Sequence, residues 1–456
     1  MVLAKQRAKE RDETVQMQSI RGGEVGVEYT NKPLSGWGGL VLFYEFGAKV
    51  GLFETLEKIL PDKKTSPNRI SSVDIVKGLM ATVLTGGNRF AHVERMRGDE
   101  VIRTALGAER VGGADTIRRY FESLTRSENE QIYDGARELT GQLLIRRRTE
   151  DILDLDSTGL ARYGHQEGVS QSYQKGRSGR VSQDPLLGML AKSKHIAHMW
   201  LRQGGSSTLR GPADFLKELL AGLPDGFKIT LVRADSGFHS ENFIKQLEAE
   251  GLPYIVAVRM HQPFKRLAAA IPKERWKRRD QVHEVADEIV EQPLWDKPRR
   301  VLFMRHITEV KGQLFDTESY EFHALVTSLT NDALECCDTY DSRAECENTI
   351  KEYKSDFGAQ GFCLRQFYAT EMVLRLIAAL FNLCSAFKHD VLRDTSVTLA
   401  TVRTKVFVVG AMLGRCGRKV ILRLGLVRRW KDSFQTLLAR ASPPTLSTAA
   451  QSSLPT

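Results

Sequence analysis

Apolar residues along this chain recur first at helical spacing, then in short unbroken runs, then at helical spacing again. From about Leu40 to about Arg148 the pattern is helical. VDIVKGLMATVLTG sets Val73, Ile75, Val76, Leu79, Met80 and Val83 at three- and four-residue spacings, as one face of a 3.6-residue period requires. TIRRYFESLT and the run from Asn129 to Leu144 look similar, and the pairs Gly86-Gly87 and Gly112-Gly113 break the pattern into segments. At Ile152 the period changes. ILDLD and ITLVRAD are short β-rich runs that each end in Asp, and YIVAVRM follows the helical stretch ENFIKQLEAEG. Strand, helix, strand in that order predicts a partly parallel sheet with helices on its faces. FKRLAAAIPKERWKRR is basic, and DQVHEVADEIVEQPLW, RRVLFMRHITEV and ESYEFHALVTSL after it read as strands. Helix is expected again near residue 331, through TEMVLRLIAALFNLCSAFKHDVL and on to about Arg440.

The predicted class is therefore α/β. A flexible N-terminus (1–30) precedes a helical region (31–148) that ends in the basic run Arg146-Arg147-Arg148. The first part of the core (149–261), a β-rich insertion (262–330) and the second part of the core (331–390) follow. A helical, basic C-terminal region (391–441) and a Ser/Thr/Pro/Ala-rich tail (442–456) complete it, the tail having a composition that points to disorder.

Charge narrows the class of partner. The 456 residues carry a formal charge of +10 with a pI near 9.2, a balance that favours a polyanion. The six cysteines all lie in the last third without CxxC spacing, so buried free thiols are expected rather than a zinc knuckle or disulfide framework. MVLAKQRAKERDETVQ lacks the apolar centre of a secretory signal, and no uncharged run reaches the ~18 residues of a membrane span. A cytoplasmic protein with no membrane partner is expected.

The chemistry concentrates in DTYDSRAECENTIKEYKSDFG, where Tyr340, Arg343, Glu347 and Lys354 fall at offsets 0, 3, 7 and 14. On a helix Arg343, Glu347, Ile350 and Lys354 line one stripe, a carboxylate flanked by two cations. Asp156 in ILDLDSTGL and Asp235 in ITLVRADSGF are carboxylates at strand ends, where sites gather in such sheets. Phosphoryl transfer between DNA oxygens needs an activated hydroxyl and neutralised phosphate charge, which two Mg²⁺ ions ~3.5–4 Å apart provide. Mg²⁺ takes oxygen ligands, so Asp156, Asp235 and Glu347 suffice if the fold brings them together. Each has a plainer reading: a turn or N-cap for either Asp, and a solvated ion-pair stripe for Glu347.

Taken together, the Tyr-Arg-Glu-Lys spacing, DLDSTG and RADSGF resemble the signature of DDE-type bacterial insertion-sequence transposases, over roughly residues 30 to 440. HQEG at 165–168 and the pair Leu201-Arg202 fit the same pattern. The resemblance implies an RNase H-like core with a β-rich insertion between the second Asp and the Glu, and an N-terminal helical domain that binds element ends. It implies Asp156, Asp235 and Glu347 as catalytic metal ligands, with Asp154 the alternative to Asp156, two Mg²⁺ ions, and Mn²⁺ able to substitute. Arg343 and Lys354 would hold phosphates of double-stranded DNA at transposon ends and target, with Tyr340 near its backbone. A homodimer in a synaptic complex and a nucleoid-associated place in a bacterial cytoplasm are implied as well.

Two basic segments compete for DNA. Trp276, within Lys265–Arg279, is a candidate to stack on an unpaired base, with Trp295 as runner-up, and Arg278 and Arg279 are candidate backbone contacts. The second holds Arg415, Arg418, Lys419, Arg423, Arg428, Arg429 and Lys431 on an expected helix. Glu345 and Glu352 are expected to be solvated. His195 and His198 are three apart, as two residues on one helix face would be. Other classes stay open: a catalytically inactive DNA-binding descendant, which binds ends without cutting, and a metal-dependent nuclease, which cuts without joining.

Overall fold

The computed structural model describes residues 15–18, 24–27, 29–63, 66–171, 181–206, 211–309 and 318–442. The tail expectation at 443–456 lies outside the described residues, as does most of 1–30, although Val15–Gln18 and Glu24–Val27 pair antiparallel there.

Nine strands make the main sheet: β1 Glu150–Ser157, β2 Leu186–Leu190, β3 His195–Trp200, β4 Lys228–Ala234, β5 Tyr254–Ala257, β6 Lys277–Arg278, β7 His283–Val290, β8 Arg299–Glu309 and β9 Glu318–Thr327. Their order is β6-β7-β8-β9-β5-β4-β1-β2-β3. β1, β2 and β3 form an antiparallel meander, while β4 runs parallel to both β1 and β5. The block β3-β2-β1-β4-β5 is the RNase H-like arrangement. The strands of 277–327 join β5 through β9, antiparallel, so they widen the same sheet rather than form a separate one.

Strand parity sorts the side chains. Leu153, Leu155, Val232 and Ala234 point into a core covered by α-helices Pro212–Ala221 and Glu241–Ala249. Alternate residues Asp154, Asp156, Leu231 and Arg233 must then face the other side, which is roofed by helices α1 (Ala333–Asp341), α2 (Ala344–Ser355) and α3 (Phe367–Phe387). The region Phe367–Leu392 is long and apolar enough to cross a membrane, but 89% of its apolar window is buried inside the protein. It is the central core helix. N-terminal helices Ser72–Leu84 and Arg126–Ile145 pack on it and share one hydrophobic core with β2 and β3.

Several expectations are corrected. The C-terminal region is not helical throughout: Ala411–Cys416 and Lys419–Leu424 form an antiparallel hairpin whose first strand also pairs with Leu34–Ser35. Its two-residue loop begins with Gly417 at φ 59°, the left-handed backbone that primed hairpin turns need. His195 and His198 lie on β3, not on a helix; both are buried, and a register shift between them sets His195 opposite Leu190 and His198 opposite Gly188 of β2. Glu352 is buried, not solvated, taking Lys388 at 3.3 Å and the Leu399 amide at 2.8 Å. Four cysteines are buried thiols, Cys363 is half-buried, and Cys416 is exposed on the hairpin.

Candidate active site

Asp156 and Asp235 come together because β1 and β4 are adjacent and parallel. Their register sets Arg233 beside Asp154 and Ala234 beside Leu155, which carries Asp235 to the level of Asp156 at the carboxyl ends. Both carboxylates also satisfy local backbone: Asp156 accepts from the Ser157 amide at 2.7 Å and Asp235 from the Gly237 amide at 3.0 Å. The turn reading and the site reading are therefore compatible. Glu347 stands, exposed, in the first turn of α2.

The signature spans a helix break. Helix stops at Asp341 and restarts at Ala344, so Tyr340 belongs to α1 and Arg343 sits at the junction as the N-cap residue of α2. Arg343 is buried and reaches down to β1, with Nη2 ion-paired to the Asp156 carboxylate and donating to the Leu155 carbonyl, each at 3.1 Å. Lys354, at the far end of α2, donates to Thr158 Oγ1 and the Gly159 carbonyl, both at 2.9 Å, in the loop after Asp156. Tyr340 is half-buried, its hydroxyl 3.4 Å from the Ala234 carbonyl. Tyr340, Arg343 and Lys354 thus border the ends of β1 and β4 beside Asp156 and Asp235.

Electrostatics bind them into one site. Burial pushes the Asp156 carboxyl up to about 6; Arg343 pulls it down, while Asp235 and Glu347 push it up. Asp235 is raised by burial, against Arg343, Arg259 and Arg202. Burial also lifts Tyr340 to about 12. Among the described residues no group of three His, Cys, Asp or Glu side chains forms a ready-made metal cage. What stands there is a pair of half-buried carboxylates and a third near enough to repel the first. These are hard oxygen donors whose mutual repulsion a divalent cation relieves, so the donor set fits Mg²⁺ or Mn²⁺.

The DNA candidates divide. Trp276 is 8% exposed; its ring packs on Phe322, its indole N–H reaches the Ile271 carbonyl, and the Arg305 guanidinium lies 4.4 Å from its centroid. Its place in the core removes it as a stacking platform. Arg279 is also committed, pairing with Asp338 at 2.6 Å and Asp341 at 2.7 Å on α1. Arg278 is exposed and, among the described residues, bonds only the Asp280 and Gln281 carbonyls nearby. Trp295 is half-buried against Phe264 and His239, the latter four residues beyond Asp235, so of the two tryptophans it is the one beside the site.

Sequence reasoning gave Arg202 no role beyond its place in the pair Leu201-Arg202 and missed Arg259 and Arg233. The first two act electrostatically on Asp235. The third precedes Asp235 by two residues on the same strand face, a parity that was readable in RAD.

A family model described as Transposase DDE domain group 1 matches residues 17–444. No curated protein matches the sequence. Among solved structures, a piggyBac transposase in a synaptic complex with hairpin DNA is similar at 12% identity and TM-score 0.43, over 93% of this chain and 90% of that one.

Proposed function

Since this chain belongs to the DDE domain group 1 transposases, we propose that it moves its own insertion element by cut-and-paste, cleaving and joining phosphodiesters at terminal inverted repeats. The observation that carries this reading is the coupled trio: Asp156 and Asp235 at the ends of adjacent parallel strands, with Glu347 close enough to raise the first. These three would hold two Mg²⁺ ions, or Mn²⁺ in their stead. Bound ions would supply what the reaction lacks in water, an activated hydroxyl nucleophile and neutralised phosphate charge.

The chain's own residues do the positioning. Arg343 offers a planar fork suited to a phosphate and Lys354 a point charge, each now held by groups at the end of β1. Tyr340 closes the same edge, and Arg278 extends the basic rim from the insertion. Trp295 takes the stacking role first assigned to Trp276, because it lies beside the Asp235 loop with part of its ring accessible. No protein nucleophile is required; catalysis is orientation and electrostatics. A homodimer on two ends, in a bacterial cytoplasm, completes the reading.

The test is cleavage and strand transfer by purified protein on duplexes carrying the element's ends, with Mg²⁺. Glu347→Ala is expected to abolish both while the thermal melt and end binding stay near the parent's. Full cleavage by Glu347→Ala sinks the assignment. Cutting without joining of precut ends by the parent makes the protein a nuclease.

A further inference from the structure

Beneath the proposed site lies a buried guanidinium that touches each element carrying a catalytic carboxylate. Arg233, on β4, is 2% exposed, and its neighbours Val232 and Ala234 belong to the apolar core. Its Nε and Nη2 donate to the two oxygens of Asp154 on β1, at 2.6 and 2.8 Å. Its Nη1 donates to the Thr339 carbonyl at 2.7 Å and to Ser342 Oγ, at the α1–α2 junction. The junction answers through the next residue, Arg343, which returns to Asp156 and the Leu155 carbonyl on β1. β1, β4 and the junction are thereby joined pairwise: β4 to β1, β4 to junction, and junction to β1. Asp156, Asp235 and Glu347 sit two, two and five residues from Asp154, Arg233 and Ser342.

Stability does not explain this arrangement. A buried ion pair is often no better for the fold than an apolar pair of the same volume, because desolvation offsets the attraction. What a bidentate fork with two further donors provides is fixed geometry, since it tolerates little sliding between the groups it joins. A one-residue slip of β1 against β4 would replace Asp154 by an apolar neighbour and leave Arg233 uncompensated. We infer that Arg233 is a positioning residue of the reaction, holding β1, β4 and the α1–α2 junction in the register that brings the three carboxylates together, with Asp154 as its anchor. This rests on the reading of Asp156, Asp235 and Glu347 as the catalytic set.

Two variants test it without leaving an orphaned charge. In the double variant Asp154→Leu with Arg233→Met the pair becomes apolar; Arg233→Lys keeps the charge beside Asp154 but loses the fork that spans to Thr339 and Ser342. Each is measured for its thermal melt, end-duplex binding, Mn²⁺ affinity by the electron paramagnetic signal of the unbound ion, and cleavage rate at saturating metal. The expected result is an unchanged melt and DNA affinity with Mn²⁺ affinity and cleavage each reduced about 10–100-fold, as for other groups that orient metal ligands. Should the double variant fail to fold, Arg233→Lys carries the same expectation. Parent-like Mn²⁺ affinity and cleavage in a folded variant would overturn the inference, as would losses in metal binding that merely track a lowered melt. Glu347→Ala run alongside separates the two readings. If it cleaves, the catalytic assignment falls and this inference with it; if it is inert while the variants remain active, only the positioning role falls.

Discussion

At the scale of single residues, the structure separates two aspartates that the sequence left as alternatives. Asp154 is fully enclosed and spends both oxygens on Arg233, whereas Asp156 opens onto the site and shares its cation with other carboxylates. Removing one partner of a buried pair strands the other charge, at a cost of about 3–5 kcal/mol. Asp154→Asn is therefore expected to lower the urea midpoint sharply, and Asp156→Asn to lower it less while abolishing cleavage; equal midpoints would refute the division. The buried histidines of β3 predict acid sensitivity. Burial lowers His195 to about 3 and His198 to about 4, the latter stacked near Tyr133 and 3.2 Å from Glu218. Both are depressed in the fold, so the unfolded chain binds protons first as pH falls. Their stability contribution is complete above an unfolded pKa of about 6.5 and is lost progressively toward pH 4, by up to about 1.4 kcal/mol per unit for each. His198→Gln should flatten the slope of unfolding free energy against pH between 6.5 and 4; an unchanged slope would count against this account.

At the scale of elements, what was legible follows from burial. β1, β4 and β5 are enclosed by helices on both faces, so they read as short apolar runs, and the aspartates that interrupt or end them stood out for that reason. The break between α1 and α2 was not legible, because no Gly or Pro marks it; it coincides with Arg343 reaching down to Asp156 and Leu155, a contact invisible along the chain. Trp276 sits among cations in the sequence, and only its packing on Phe322 and Arg305 places its ring in the core. The hairpin of Ala411–Leu424 is marked in the sequence only by Gly417, between two runs that mix apolar and cationic residues. Arg415, Arg418, Lys419 and Arg423 are exposed on the hairpin, and none of them forms an ion pair among the described residues. A projecting cationic hairpin contacts phosphates by charge alone, each contact contributing about 0.9 to the slope of log affinity against log salt. Arg415→Ala, Arg418→Ala and Lys419→Ala together should weaken binding to any duplex and flatten that slope by about 2–3. An unaltered slope would remove the hairpin from the DNA interface.

At the scale of the whole molecule, the division into a DNA-binding domain at 31–148 and a separate catalytic core needs revising. Leu79, Met80 and Val83 of one N-terminal helix, and Ile132, Leu139 and Leu143 of another, share a single hydrophobic core with Met189 and Met199 of the sheet and with the central helix α3. Polar links cross the same boundary. Tyr133 accepts the Met199 amide at 3.0 Å, Arg375 pairs with Glu130 at 2.9 Å, and Arg147 grips Asp390 through two bonds of 2.9 and 2.7 Å. Arg375 is itself 3% exposed, so losing Glu130 would open a buried guanidinium to rearrangement. Deleting 1–148 would thus uncover one whole face of α3 and the outer strands of the sheet, an apolar patch that a soluble monomer rarely exposes. A fragment of residues 149–442 should fail to give a cooperative thermal transition and should bind a hydrophobic dye, whereas the full chain melts with its N-terminal helices and β1–β3 lost together. A sharp, dye-free melt from that fragment would show two independent units. If the core is shared, substitutions that disturb the N-terminal helices reach the carboxylates through α3 and β2, and end binding and cleavage cannot be assigned to separable halves of the chain.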